Sequence, residues 1–406
     1  MASRFKYIVV GRGMMGAAAA RYLSKWADGV ALVGPGEPAD YGRHEGVFAS
    51  HHDEARITRT IDPDPVWARL ANRSITRYGE IAAESGVGFY SESGCLLVGP
   101  TRSNGPSGGS SYVGSILDAA GRLGVSIETL SDASLAQRFP LFAFPGNSEG
   151  VWEEKNAGHI NPRALVKAQA LLAERQGAAI ISETVASVRQ EGDSVTVTTV
   201  EGSSYSGEKV LVAAGGFSIN ENLLPRRLDL KVYARTVAFF EVDEAAMDVW
   251  GAVPSLIWKW KEGEDGIYLL PPVRYPDGRI YLKIGGDPDD LLLPTEPEIR
   301  AWFRSGGRES TKQRLTEIMR TLMPRLDLSR SSMAACVTSF TPTGYPAIAM
   351  TGAEAAASRI GILSGGCGAA AKSSDEIGRL GAELIFHGRI IDDAYVTETD
   401  FRADYL

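Results

Sequence analysis

Cysteine is scarce in this chain: 406 residues carry three, Cys95, Cys336 and Cys367. Without a C-x-x-C pair they form neither a disulfide framework nor a thiolate metal site, and they suit a reducing cytoplasm. Histidine is also sparse, with five copies. His51 and His52 are adjacent but have no Cys or carboxylate ligand pattern around them, so no metal site is expected. Basic charge is not in excess. A net charge of −8 without a basic run argues against a nucleic-acid partner. No apolar run reaches the ~18 residues of a membrane helix, so no membrane partner is expected. The first residues enter a strand and a glycine loop directly, without signal-peptide organisation. With 44% hydrophobic and 23% charged residues, the composition is that of a soluble globular protein. The length suits two lobes.

Glycine, by contrast, is plentiful and placed to a pattern. The segment Lys6-Tyr-Ile-Val-Val-Gly11-Arg-Gly13-Met-Met-Gly16-Ala-Ala-Ala-Ala runs from a strand through G-x-G-x-x-G into a helix former. Gly11 makes the tight turn, Gly13 admits a pyrophosphate to the backbone, and Gly16 lets the helix pack on the strand. The helix N-terminus offers free N–H groups to phosphate. Tyr7–Val10, a helix from about Met14 to Lys25, and Val30–Val33 make a β-α-β unit, which points to an α/β doubly wound fold. The spacing says dinucleotide without saying which. Where an acid usually takes the ribose, this chain has Gly34; either Glu37 reaches back or backbone alone holds the ribose.

Further along, residues 100–112 read as a surface loop, and a helix opens at Pro162 behind Asn161 as N-cap. Ser194–Val200 alternates as a strand. Lys209–Val212 runs into Ala-Ala-Gly-Gly, a strand end that either admits something flat or makes a tight turn. Residues 230–330 read as antiparallel sheet followed by a helix from about Glu296 to Met323. A strand, a glycine cluster and a helix near Ser373–Phe386 close the chain. The nucleotide domain is therefore expected over 1–90, 150–230 and 331–406, with a substrate domain in 91–149 and 231–330.

Three more segments bring a resemblance. Ala49-Ser-His-His-Asp-Glu-Ala-Arg56-Ile-Thr-Arg59, Cys336-Val-Thr-Ser-Phe-Thr-Pro342 and Gly365-Gly-Cys-Gly368-Ala-Ala-Ala-Lys372 resemble the flavin-dependent amine oxidases typified by monomeric sarcosine oxidase and N-methyltryptophan oxidase, within the D-amino-acid-oxidase-like group. The resemblance implies a Rossmann-like FAD-binding domain with an inserted antiparallel-sheet α+β substrate domain. It implies FAD, attached covalently through Cys336, and oxidation of a secondary or cyclic amino acid to an imine with O2 reduced to H2O2. Monomers or small homo-oligomers are implied as well. Its cofactor-binding positions are Gly11, Gly13, Met14, Met15 and Gly16, then Ser50, His51, Arg56 and Val185. Ala214, Gly215, Cys336, Gly366, Gly368 and Lys372 complete them.

The catalytic positions it implies are Lys283, Arg59, Lys372 and Arg56. Arg59 and Lys372 match the pair that holds a substrate carboxylate, and Arg56 lies against the flavin. Lys283 faces the ring and activates O2; a lysine that blunts a strand edge is the plainer account of it. His51 and His52 pack beside the flavin rather than act as bases. Cys95 is strand packing, and Cys367 has no role in the pattern. The chain departs from the sarcosine oxidase pattern at Thr338, Ala369 and Asp287, where Tyr, His and His are expected, which suggests a larger or differently charged amine. Trp258 and Trp260 either line such a pocket or pack in the core. Rival readings are a flavin dehydrogenase passing electrons to a quinone or carrier protein, an NAD-dependent oxidoreductase, and a non-catalytic nucleotide-binding module.

Overall fold

The computed structural model describes residues 3–101, 111–260, 266–286, 290–351, 357–396 and 400–406. Its first sheet has five parallel strands side by side: Ile360–Ser364, Ser204–Val212, Ser3–Val10, Val30–Val33 and Ala179–Ile181. Chain order reverses at Ser3–Val10, the central strand. A doubly wound sheet opens a ligand crevice at the carboxyl ends of its strands at such a point, and here those ends carry Gly11 and Ala213. The hairpin Val185–Glu191 with Ser194–Thr199 pairs with the first half of Ser204–Val212, and Ala347–Met350 pairs antiparallel on Ile360–Ser364.

Helices Met14–Trp26 and Ser374–His387 cross closely on this sheet, because small residues meet at the crossing. A methyl group on Gly378 would stand 2.4 Å from the Ala18 side chain. The run Ala17–Ala20 is fully buried. Asn161 caps helix Pro162–Arg175 by accepting from the Ala164 N–H at 2.9 Å, as its position before a proline predicts.

The second sheet runs Ser331–Phe340, Lys231–Val242, Ile280–Gly285, Ile267–Arg274, Ser255–Trp258, Cys95–Pro100, Ser148–Glu153 and Glu128–Leu130. Strand Ser331–Phe340, expected with the nucleotide segments, is hydrogen-bonded into this sheet instead, from Lys231↔Phe340 to Phe240↔Ser331. The single helix expected over Glu296–Met323 is two, Glu296–Ser305 and Glu309–Leu322. Gly306 and Gly307 break it at φ of +73° and +117°, which L side chains avoid. A small third sheet joins Arg56–Thr58, Gly158–Ile160 and Tyr90–Ser91. Residues 102–110 of the expected surface loop, and Asp287, lie outside the described residues. Among the described residues no helix is long and apolar enough to cross a membrane.

The first turn of helix Ser374–His387 puts Asp375 and Glu376, both fully buried, into a cage of arginines. Asp375 pairs with Arg21 at 2.9 Å and Arg77 at 2.6 Å; Glu376 pairs with Arg77 at 2.6 Å, Arg379 at 2.7 Å and Arg73 at 3.2 Å. Burial alone would raise the Glu376 carboxyl, but Arg379 and Arg77 hold it down at about 2, against its ordinary 4.5. A depressed carboxyl stabilises the fold above its unfolded value, and that contribution is lost as pH falls from about 4.5 through about 2. It amounts to about 3 kcal/mol. Glu376→Gln removes one carboxylate from Arg77, Arg379 and Arg73, which keep their contacts with Asp375 and Asp392, and is expected to cost about 3 kcal/mol at pH 7. Denaturant melts at pH 7 and pH 3 check both points, and equal loss in the variant at the two pH values would contradict them.

Candidate active site

A cavity of about 830 Å3 runs from the carboxyl ends of the first sheet to the face of the second. Its lining brings together Gly11, Gly13, Met14, Met15, Ser50, His51, Arg56, Val185, Ala214, Gly215, Cys336, Gly366, Gly368 and Lys372, with Arg59. These come from chain segments far apart in sequence. Gly16 is not in the lining. A methyl group there would stand 1.9 Å from the Gly11 carbonyl oxygen, so its place is the helix–strand contact. Gly11 has φ of +111°, and its Cβ position lies 2.3 Å from the Ala213 carbonyl oxygen. Gly34, Pro35 and Gly36 line the cavity, whereas Glu37 turns away to Arg163 at 2.6 Å.

Lys283 does not line the cavity. Its strand lies between Lys231–Val242 and Ile267–Arg274, which rules out a strand-edge role. The side chain is fully buried, with Nζ 2.6 Å from Asp53 Oδ2 and bonded to the Ala55 carbonyl oxygen. Asp53 also pairs with Arg56 and accepts from the Tyr275 hydroxyl at 2.7 Å. Burial, then the Arg56 charge, pushes the Lys283 ammonium well below its ordinary value; the Asp53 carboxylate opposes both.

Arg59 and Lys372 meet on a shared acid. Asp62 Oδ2 lies 3.3 Å from Arg59 Nη2 and 3.1 Å from Lys372 Nζ. Burial alone would raise Asp62, but Lys372 and Arg59 hold it below the carboxylate range. Two cations around one acid leave a unit of positive charge facing the cavity. The Arg59 Nε is buried without a hydrogen-bond partner.

Cys336 Sγ lies 3.8 Å from Arg56 Nη2, and its carbonyl oxygen accepts from Trp302 Nε1 at 2.8 Å. Cys95 is fully buried, and burial lifts its thiol to about 12. Cys367 sits in the left-handed region at φ of +47° outside the lining, its thiol on the Gly365 carbonyl oxygen. Trp258 is 5% exposed in the core against Phe144 and Trp260, and neither tryptophan lines the cavity. Burial drives the His52 imidazole down to about 4 and the His51 imidazole well down, so both are neutral.

The chain matches the FAD dependent oxidoreductase family over residues 6–384. It belongs to that family. Monomeric sarcosine oxidase of Bacillus sp. (strain NS-129) is 27% identical over 398 residues, covering 97% of this chain and 96% of its own. N-methyl-L-tryptophan oxidase of Yersinia pestis (strain Pestoides F) is 26% identical over 213 residues, 52% of this chain and 53% of its own. Among solved structures, NikD, described as an unusual amino acid oxidase essential for nikkomycin biosynthesis, is similar in fold. Its TM-score is 0.75 at 20% identity, with 100% of this chain and 99% of that chain covered.

Family membership makes the chain an FAD-dependent oxidoreductase and sets the nicotinamide reading aside. The residues present fit FAD. The first turn of Met14–Trp26 has no side-chain cap and no acid, so its N–H groups are open to phosphate. A methyl group on Gly13 would meet nothing closer than His51 Nδ1 at 3.9 Å. Thr338 and His52, both in the lining, each have a buried polar atom without a hydrogen-bond partner.

Four residues of this FAD-dependent enzyme escaped the sequence reading: Asp53, Asp62, Tyr268 and Arg235. Asp53 precedes Arg56 by three residues and Asp62 follows Arg59 by three, a spacing that hints at pairing. Tyr268 and Arg235 stand on strands with no motif around them. Among the described residues the charged side chains of the lining are Arg12, Arg56, Arg59, Arg235, Arg300, Lys372 and a single acid, Glu296.

Proposed function

We propose that this enzyme oxidises a secondary or cyclic amino acid, holds FAD covalently through Cys336, and passes electrons to O2. The observation that carries this reading is the meeting of Arg59 and Lys372 with the nucleotide glycines and Cys336 in one cavity. The names of two relatives, an oxidase of sarcosine and one of N-methyl-L-tryptophan, support an amino acid with a substituted nitrogen.

Arg59 offers a planar fork to the substrate carboxylate, and Lys372 a second cation that fixes its orientation. With Asp62 between them, the net unit of positive charge matches one carboxylate. The same positive field, with Arg56 added, disfavours a protonated substrate amine, so the nitrogen keeps its lone pair. FAD, when bound, accepts the two electrons released as the C–N bond becomes C=N, and O2 takes them on to give H2O2. Thr338 and Ala369, smaller than the residues of the sarcosine oxidase pattern, line the same cavity and support a substrate bulkier than sarcosine.

A dehydrogenase serving a quinone or carrier protein is favoured by one observation. Lys283 rests on Asp53 behind the cavity wall instead of in the lining.

Anaerobic addition of N-methyl, cyclic and dicarboxylic amino acids to the yellow holoenzyme tests the central reading: at least one should bleach the flavin, and bleaching by none would overturn it. Cys336 has its own test. Acid precipitation should leave the flavin on the wild-type pellet and release all of it from Cys336→Ser. Full release from the wild type would end the covalent assignment.

A further inference from the structure

Arg235 stands on the strand Lys231–Val242, opposite Cys336 in the antiparallel register. Val237 and Tyr268 belong to the same stretch of wall, and all four line the cavity. The Arg235 guanidinium lies over the Tyr233 ring, 5.5 Å from its centroid. Arg56 shares the buried Asp53 carboxylate with Lys283. Arg235 is paired differently. Among the described residues its one carboxylate partner is Asp290, at 2.7 Å, and the two side chains differ in exposure: 19% for Arg235 and 66% for Asp290.

A carboxylate that exposed stays hydrated, and its pair with a cation is worth about 0–1 kcal/mol. It exchanges readily for a carboxylate that arrives inside the cavity, where water is scarcer and each ionic contact is stronger. Arg235 uses Nη1 on the Ala234 carbonyl oxygen at 3.0 Å and Nη2 on Asp290. A guanidinium has five N–H donors, so part of its fork remains for a ligand.

The cavity lining thus holds, apart from Arg59 and Lys372, a further cation at Arg235. Arg59 and Lys372, with Asp62, are matched to one carboxylate; Arg235 comes from the facing sheet and is matched to another. Resting on the amino-acid reading above, we propose that Arg235 is a second anion subsite. The substrate is then an amino acid whose nitrogen substituent or side chain ends in a carboxylate. One carboxylate docks on Arg59 and Lys372 and the other on Arg235, which holds the nitrogen between two fixed points. A neutral N-methyl amino acid engages only the first place.

Unreactive ethers test this by binding alone, because an ether oxygen in place of nitrogen cannot be oxidised to an imine. Methoxyacetate carries one carboxylate; oxydiacetate and its homologues with one or two more methylenes carry two. Dissociation constants come from flavin difference spectra of the holoenzyme and from calorimetry. In the wild type the best dicarboxylate should bind at least about tenfold tighter than methoxyacetate, an advantage that shrinks as salt rises. In Arg235→Met the ratio should fall to within about twofold, and Arg235→Lys should restore part of it. Arg235→Gln, which keeps a polar side chain, guards against a folding defect in Arg235→Met and should lose the advantage as well. An advantage absent from the wild type, or surviving in both neutral variants, overturns the subsite. Failure of the underlying reading looks different: Arg59→Met would then bind methoxyacetate as well as the wild type does, or neither ether would bind at all.

Discussion

Lys283→Met should slow the reaction of the reduced enzyme with O2 by about thirtyfold. One-electron reduction of O2 makes an anion, and a fixed cation behind the cavity wall, at ~8 Å in an effective dielectric of ~20, stabilises it by roughly 2 kcal/mol. Asp53 does not cancel this cation, because its carboxylate faces both Lys283 and Arg56. Three charges sum to one positive unit with lysine present and to zero with methionine. Stopped-flow mixing of photoreduced enzyme with O2 measures the step without substrate. A change below about tenfold would favour the quinone or carrier-protein reading.

The pH dependence carries a second signature. Burial and Arg56 lower the Lys283 ammonium, and an amine is charged only below its pKa. Reoxidation should therefore be fast at low pH and fall as pH rises, at a pH under the ordinary lysine value. Asp53→Asn removes the opposing carboxylate and should move the fall to still lower pH.

Arg59→Met should reduce kcat/KM for the amino acid by about a hundred- to a thousandfold, the scale of a 2–5 kcal/mol loss for one partner of a buried charged contact. The planar fork is lost, and Asp62 then neutralises Lys372 and cancels the charge that attracts the carboxylate. Arg59→Lys keeps the charge without the fork and should lie between the two. Rates of anaerobic flavin bleaching against substrate concentration give the number. A loss below tenfold would make Arg59 a structural partner of Asp62 and move the carboxylate elsewhere.

Much of the fold was legible in local pattern. Gly11, Gly13 and Gly16 declare the turn and the close helix–strand contact by their spacing, and Asn161-Pro162 declares a helix start, because each acts within a few residues. Breaks were harder to read. Gly306-Gly307 lies inside an otherwise helical pattern, and only its left-handed backbone reveals two helices. The strand of Cys336 looked like nucleotide-domain chain because strand pairing is decided by a partner a hundred residues away, here Lys231–Val242. For Trp258 and Trp260 the sequence left pocket lining and core packing both open, and packing against Phe144 placed Trp258 in the core.

The sequence by itself determined the nucleotide crevice and the candidate chemistry, since glycine spacing and the Arg59, Cys336 and Lys372 segments are properties of short runs of chain. Tertiary structure alone decided the charge state around that chemistry. Asp53 reaches Lys283 across 230 residues, Asp62 joins Arg59 to Lys372, and Arg235 stands opposite Cys336 from another strand. Electrostatic energy depends on distance and burial, and no spacing along a chain encodes either for residues so far apart.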